Sequence, residues 1–429
     1  MTLYSRPSAI GISFQKKMDE IKNLFSQRKF DDALVFIFEL TEDFKSNKNI
    51  PKILFEIGTV YEDLGKYIEA IEIFRKVIEI KPDFADAHAN LGVTLKSMGR
   101  LEEAKESYKK AIEIEPKNAG RYYNLAITLS DLGMHEEAIE NYYRAIDLEP
   151  NFIEAKANLG ILLFSKNQYE ESIKFLKKNK HEISQTYLLR CYFMLDDRDS
   201  FFQQLNYLTE RGRINATIGS LICRSEEKYG VKYQNTFARK PLDYVENINL
   251  KERHDFNNIF IKTIKDIINQ KSLVYRKQNL LSKGQQSAGN FFLTKIKSIE
   301  KIEKIIREEI EKYQKKFKDS KEGFIQNWPK KFNLKGWIVN MRSGGELAPH
   351  MHENGWISGA VYINVPPKKQ KDDGNFVVCL NENISKNRGK IINVLTGSLV
   401  LFPASLMHYT LPFVSDENRI VLAFDIIPK

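Results

Sequence analysis

Cysteine is scarce in this sequence, with three residues in 429 (Cys191, Cys223 and Cys379) and no CxxC pair. A disulfide framework and a thiolate zinc site are therefore excluded, and free thiols favour a cytoplasmic protein. Long hydrophobic runs are also missing, because no stretch of about 18 uncharged apolar residues occurs. The first residues lack the apolar segment and cleavage site of a secretory signal. We therefore expect neither a membrane span nor secretion.

A large excess of one charge is absent as well, since 66 Lys and Arg face 56 Asp and Glu, a net charge of +10. Proteins that bind nucleic acid concentrate basic residues in a patch, often with aromatic residues between them. Here basic and acidic residues alternate, as in RLEEAKESYKK, which is typical of solvated helix faces. Nucleic acid is therefore not an expected partner. The length predicts two or three domains.

The first half of the chain repeats with a period of 34 residues from residue 51 to about 180. The period appears in four sets of equivalent positions, which are Ile57, Leu91, Leu125 and Leu159; Gly58, Gly92, Ala126 and Gly160; Gly65, Gly99 and Gly133; and Pro82, Pro116 and Pro150. Such a period indicates paired helices stacked into a solenoid. The small residues predict close approach of two helices, and the second glycine set predicts a left-handed turn residue between them.

This pattern resembles the tetratricopeptide repeat. With degenerate repeats on either side, we assign an all-α solenoid to residues 14–230 and a linker to 231–254. Solenoids of this type present a groove to extended peptides, so a protein or peptide is the expected partner. Asn90, Asn124 and Asn158 recur at equivalent positions, and the resemblance implies a peptide-binding ladder of amides. Local hydrogen bonding of these asparagines is the alternative, and both interpretations remain open.

The second half, 255–429, has a different texture. Two helical segments flank a polar loop, LLSKGQQSAGNFF, and are followed by short segments rich in Val, Ile, Phe and Tyr between turn residues. About six to eight such strands predict an α+β domain with a small antiparallel barrel or jelly roll as its core.

Histidines mark a candidate metal site in the strand region. Of seven histidines in the chain, three lie there, His350 and His352 before one strand and His408 after another. Alternation along an extended segment places His350 and His352 on the same face. A third imidazole from His408 would then complete one face of a metal centre.

This arrangement resembles the non-haem Fe(II), 2-oxoglutarate-dependent oxygenases with a double-stranded β-helix core. Their pattern is His-x-Asp, a distant His and a basic residue about ten positions later, here Arg419. Members of this family from phage and marine bacteria contain segments similar to GELAPHMHENGW, LTGSLVLFPASLMHYTLPF and ENRIVLAFDI. The resemblance implies Fe(II) as metal and 2-oxoglutarate as co-substrate, with Arg419 pairing its remote carboxylate and Asn340 as a further contact.

One departure from the family pattern leaves the ligand set open. His352 stands where the carboxylate is usual, so His350, His352 and His408 could form an all-nitrogen triad, which we favour. Glu353 could instead supply the carboxylate, or the metal could have only two protein ligands. A barrel that has lost its metal is the remaining alternative. Val421 replaces a hydroxyl residue of many relatives, which puts a second contact to 2-oxoglutarate in doubt.

The expected function is a dioxygenase that hydroxylates a protein or peptide side chain recruited by the repeats. Trp356, Tyr362 and Gln286 are further candidates for lining its pocket. The rival hypotheses are an interaction scaffold with an inactive barrel, and a metal-binding barrel of other chemistry such as an isomerase. Substrate identity, metal identity and self-association are not determined by these residues.

Overall fold

The computed structural model describes residues 9–44, 47–269, 273, 275–276, 280–293, 296–381 and 389–429. The chain divides into two compact units, Met1–Tyr187 and Leu188–Lys429. No helix within the described ranges combines the length and the hydropathy needed to cross a membrane.

The first unit is a series of antiparallel helix pairs, and the helices α3 to α10 follow the 34-residue period. Its helices are α1 (Ala9–Ser26), α2 (Phe30–Phe44), α3 (Ile50–Asp63), α4 (Tyr67–Ile80), α5 (Ala85–Ser97), α6 (Leu101–Ile114), α7 (Ala119–Asp131), α8 (His135–Leu148), α9 (Ile153–Ser165), α10 (Tyr169–Leu176) and the start of α11 (Glu182–Met194). The predicted helical solenoid is therefore confirmed.

The small residues of the repeat allow the two helices of a pair to touch. A Cβ added at Gly58 would lie 2.7 Å from the Phe74 ring, and one at Gly92 would lie 2.8 Å from the Tyr108 ring. Gly99 ends its helix at a φ of +76°, which side chains other than glycine rarely adopt. The two glycine positions thus set the spacing and the turn of the repeat.

The second unit is built around an antiparallel, barrel-like sheet of the kind found in a jelly-roll core. Its strands are β1 (Glu246–Asn249), β2 (Tyr275–Arg276), β3 (Leu281–Ser287), β4 (Phe332–His350), β5 (Ile357–Asn364), β6 (Phe376–Cys379), β7 (Lys390–Ile392), β8 (Ser398–Pro403), β9 (Met407–Thr410) and β10 (Arg419–Pro428). Their order is β1-β8-β5-β10-β4-β9-β6-β7, and β3 pairs with both β2 and β4. The predicted fold class is confirmed.

The segment interpreted as a linker, 231–254, belongs to this sheet. Within it β1 pairs with β8, and Phe237 is fully buried in the same apolar core as the sheet. Two helices placed in the solenoid by the sequence, α12 (Arg198–Glu210) and α13 (Ala216–Tyr229), lie in the second unit, and Ala216 shares that core. The structure thus divides the chain earlier than the expected boundary at residue 230.

The segment predicted as a polar loop also differs, because β3 pairs within it along β4 from Leu281 to Gln286. Its sequence, LSKGQQS, lacks the alternation of apolar and polar residues that marks a half-buried strand. Pairing with a longer neighbour, rather than its own side chains, makes this segment a strand.

The two faces of β10 have different neighbours, and this positions the site. Ile420, Leu422, Phe424 and Ile426 belong to the core that also contains the apolar side of α15 (Lys297–Lys316). The alternate residues of β10, from Arg419 to Ile427, line an internal cavity. Two further helices of this unit are α14 (Lys262–Asn269) and α16 (Gly323–Gln326).

Candidate metal centre

Three histidines meet where β4 pairs with β9. His350 ends β4 and is the direct partner of His408 in β9, while His352 follows two residues after the strand. One ring nitrogen from each histidine lies within 4.8 Å of the others. The ring centroids of His350 and His408 are 4.2 Å apart. We refer to these three residues as the histidine cluster.

Hydrogen bonds to the rings determine which nitrogen carries the proton. Nδ1 of His350 lies 2.9 Å from the Ala348 carbonyl oxygen, and Nδ1 of His408 lies 3.4 Å from that of Leu406. Nδ1 of His352 lies 2.7 Å from a carboxylate oxygen. Carbonyl and carboxylate oxygens only accept, so each Nδ1 is the donor, which leaves Nε2 of each ring as the atom available to a metal. Three such Nε2 atoms form a donor set that fits a divalent transition metal.

Burial keeps two of these imidazoles neutral. Burial, together with repulsion from the nearby His352, lowers the pKa of His350 to about 4. Burial also holds the pKa of His408 well below its usual range, with added repulsion from the other two histidines. Neutral imidazole is the form that binds a metal, so the cluster is ready to coordinate at neutral pH.

These pKa shifts predict that the metal-free form of the protein loses stability as the pH falls. As the pH falls below about 6.5, the unfolded state takes up a proton on His350 before the folded state does. The free energy of unfolding therefore falls between pH 6.5 and 4, by about 1–2 kcal/mol at pH 5 from His350, and His408 contributes in the same direction. Urea unfolding in EDTA at pH 7.5 and pH 5 measures this loss, which should be smaller in a His350→Gln, His408→Gln double variant. Equal losses in both proteins would contradict the prediction.

Glu353, the alternative carboxylate ligand, has another partner. Its Oε1 lies 2.7 Å from Nη2 of Arg190. It does not belong to the group of metal donors found among the described residues, which contains the three histidines. The geometry therefore favours the histidine cluster over a set that includes Glu353.

Arg419 is a buried cation with an open edge. It begins β10, is 1% exposed, and its guanidinium lies 5.0 Å from the centre of the Tyr362 ring. Nη1 lies 3.8 Å from the Met341 sulfur, whereas Nε and Nη2 have no hydrogen-bond partner among the described residues. Nε and Nη2 are the two donors that bind a carboxylate side-on. A buried guanidinium with that edge free can bind a carboxylate group of a ligand.

The histidine cluster and Arg419 share one cavity of about 730 Å³. Tyr362 and Gln286, both predicted to line the pocket, are among its lining residues. Burial raises the pKa of Tyr362 to about 12, so its phenol stays neutral beside Arg419. The volume is in the usual range for small-molecule sites, and the cavity therefore has room for a co-substrate and part of a substrate.

Two predicted site residues lie outside this cavity. The lining of β4 includes Trp337, Val339 and Met341, so alternation places Asn340 on the opposite face. Trp356 is buried in the apolar core, where its indole N–H donates to the Phe324 carbonyl oxygen at 2.8 Å. The roles proposed for Asn340 and Trp356 at the site are therefore corrected, and Trp356 is a core residue.

Three residues of the site were not anticipated from the sequence. Asp425 faces His352, and the Ser358 hydroxyl donates to Asp425 Oδ1 at 2.7 Å. Arg190 comes from α11 and lines the cavity beside its partner Glu353. The sequence contains one signal for Asp425. It is an even number of residues from Arg419, so the two side chains lie on the same face if the segment is a strand.

The repeat asparagines lie at equivalent positions in α5, α7 and α9, where all three are partly buried. Nδ2 of Asn158 donates to the hydroxyl of Tyr123 at 3.2 Å. The backbone carbonyl oxygens of Asn90 and Asn124 accept from the hydroxyls of Thr94 and Thr128, four residues later. Asn158 thus has a local bond of the kind the alternative interpretation describes, while its amide oxygen is not engaged by that bond.

Several solved structures are similar to part of this chain. MamA from Desulfovibrio magneticus RS-1 is 23% identical over 40% of this chain and 94% of its own, with a TM-score of 0.34. YrrB, described as a TPR protein with an unusual peptide-binding site, is 19% identical over 41% of this chain and 96% of its own, with a TM-score of 0.34. The first TPR of Spaghetti (RPAP3), bound to an HSP90 peptide, is 25% identical over 27% of this chain and 93% of its own, with a TM-score of 0.27. No curated protein sequence matches the chain.

Family models match both parts of the chain. Models of the tetratricopeptide repeat match residues 58–99, 85–118 and 119–152. The model of the family described as "Putative 2OG-Fe(II) oxygenase" matches residues 335–425, which include the histidine cluster and Arg419. The chain thus carries tetratricopeptide repeats followed by a carboxy-terminal domain of this 2OG-Fe(II) oxygenase family.

Proposed function

We propose that this protein is an Fe(II)- and 2-oxoglutarate-dependent dioxygenase that hydroxylates a protein or peptide side chain. The observation that carries the proposal is the shared cavity, in which three imidazoles and one buried guanidinium with an open edge are found together. Among the described residues this cation, Arg419, has no carboxylate partner, and a scaffold has no need for such a group because burying an unpaired charge costs stability.

The residues of the cavity have distinct roles in this proposal. Nε2 of His350, His352 and His408 would hold Fe(II), and the Nε and Nη2 edge of Arg419 would bind the remote carboxylate of 2-oxoglutarate. Bound Fe(II) with 2-oxoglutarate and dioxygen supplies the oxidising power to hydroxylate an unactivated C–H bond. Val421, also on the cavity wall, offers no hydroxyl, so co-substrate recognition depends on Arg419.

Anaerobic addition of Fe(II) and 2-oxoglutarate to the purified protein tests the proposal. The complex is expected to show a weak visible charge-transfer band that neither component produces alone. A protein that binds no metal and shows no band would instead favour the interaction scaffold with an inactive barrel.

The repeats are proposed to recruit the substrate as an extended chain. Asn90, Asn124 and Asn158 recur on the first helix of successive repeats, and an amide can donate to and accept from a peptide backbone at once. Such contacts hold a chain largely independently of its sequence. A tethered groove also raises the effective concentration of the peptide at the cavity.

Replacing these three asparagines by alanine together is expected to weaken peptide binding by about 10- to 100-fold, since each hydrogen bond contributes about 1 kcal/mol. Retention on an array of immobilised peptides of varied sequence measures the change. Asn141→Ala is the matched control, because the Asn141 amide bonds locally to the Glu137 carbonyl oxygen. Unchanged retention by the triple variant would contradict recruitment by these residues.

A further inference from the structure

A buried carboxylate lies directly behind one member of the histidine cluster. The Asp425 side chain is 8% exposed, and its Oδ1 is 2.7 Å from Nδ1 of His352. The Ser358 hydroxyl donates to the same oxygen at 2.7 Å, which fixes the carboxylate in place. Asp425 thus contacts Nδ1 of His352, which leaves Nε2 of the same ring available to a metal.

The charge of the cluster gives this contact its significance. A facial triad of two histidines and one carboxylate brings one negative charge to the metal. The three imidazoles here bring none, while Asp425 places a carboxylate one imidazole ring away. Among the described residues, the Asp425 carboxylate pairs with His352 and with no lysine or arginine. A carboxylate that accepts from Nδ1–H raises the basicity of Nε2 and fixes the ring orientation.

We propose that Asp425 acts through His352 as a positioning residue that replaces the missing carboxylate of the metal site. This inference rests on the proposed function, because it requires that the histidine cluster binds a divalent metal. The negative charge reaches the metal through the imidazole, and the hydrogen bond holds His352 in the tautomer that presents Nε2. The site would therefore be functionally a two-histidine, one-anion site, although its ligand atoms are all nitrogen.

The Asp425→Asn variant tests this inference, since asparagine keeps the size and one acceptor oxygen but removes the charge. Anaerobic titration of the EDTA-treated full chain with Co(II) or Fe(II) is expected to show a 10- to 100-fold weaker metal affinity. The Fe(II)–2-oxoglutarate band is expected to shift to higher energy. A less basic His352 donates less electron density to Fe(II), so more energy is needed to move an electron from the metal to 2-oxoglutarate. Asp266→Asn, which makes the same change at an exposed carboxylate of α14 outside the cavity lining, is the control and should bind metal within about threefold of the original protein.

A double-variant cycle shows whether Asp425 acts through His352. In a His352→Asp background a carboxylate is already a ligand, so Asp425→Asn should no longer weaken metal binding and should relieve repulsion between two carboxylates. Equal weakening in both backgrounds would overturn the inference. Unchanged affinity and band position in Asp425→Asn would overturn it as well, while leaving the proposed function intact.

Chemical rescue of a second variant provides an independent test of the role of the Asp425 charge. Asp425→Ala leaves a space of carboxylate size, and added formate is expected to restore metal affinity, whereas neutral formamide is not. Equal effects of formate and formamide would contradict a role for the charge. If the original protein itself binds neither Co(II) nor Fe(II), both this inference and the proposed function are overturned.

Discussion

An Arg419→Met variant is expected to lose 2-oxoglutarate binding without losing stability. Arg419 is buried, and its Nε and Nη2 donors lack partners among the described residues. Truncating one partner of a buried charge pair costs about 3–4 kcal/mol, so the Kd for 2-oxoglutarate should rise about 100- to 1000-fold. In the absence of ligand the same change removes an unpaired buried charge, and the Tm should stay equal or rise.

Thermal unfolding with and without 2-oxoglutarate measures both effects together. Added 2-oxoglutarate should raise the Tm of the metal-loaded original protein but not that of the variant, because a ligand stabilises only the state that binds it. Arg419→Lys is the matched control, which keeps the charge but loses the side-on pair of donors, and it should lie between the two. A parallel loss of metal affinity in Arg419→Met would indicate a folding defect and contradict this interpretation.

Removing His408 is expected to abolish the metal site. His408 is buried, pairs with His350 across two strands and presents Nε2 to the cluster. Each ligand of a structural metal site contributes about 3 kcal/mol to the free energy of metal binding. His408→Ala should therefore weaken metal binding about 100- to 1000-fold. The visible band with Fe(II) and 2-oxoglutarate should disappear with it.

Exposed histidine provides the control for this experiment. His181 is exposed in the first unit and outside the cluster, so His181→Ala should retain both metal affinity and the visible band. Calorimetric titration with Co(II) compares the two variants directly. A band that survives in His408→Ala would show that other residues hold the metal.

The repeats and the sheet could be predicted because their signals are local. The 34-residue period fixed the positions of the helix pairs, and Val- and Ile-rich segments such as those of β5 and β8 are typical of buried strands. The strand β3 could not be predicted, since its pairing with β4 and not its own pattern makes it a strand. The linker prediction failed for the same reason, because β1 depends on β8, about 150 residues later.

The site could be predicted only in part. The positions of His350, His352 and His408 in the strand region supplied the candidate metal ligands, and the resemblance supplied Arg419. Asp425 lies 73 residues from His352, and its even spacing from Arg419 predicts only a shared face of the strand, not a contact with His352. Asn340 failed because its role depended on which face of β4 lines the cavity, and that parity is set by the sheet register.

Strand β10 also restricts how this chain can change in length. It pairs with β4 from Arg419 to Pro428 and with β5 from Ile420 to Asp425, so ladders hold it on both sides. Deleting one residue between Arg419 and Asp425 would turn one of them towards the apolar core, since faces alternate along a strand. Related sequences should therefore tolerate insertions in the turns around the barrel, while the six-residue step between these two side chains stays constant.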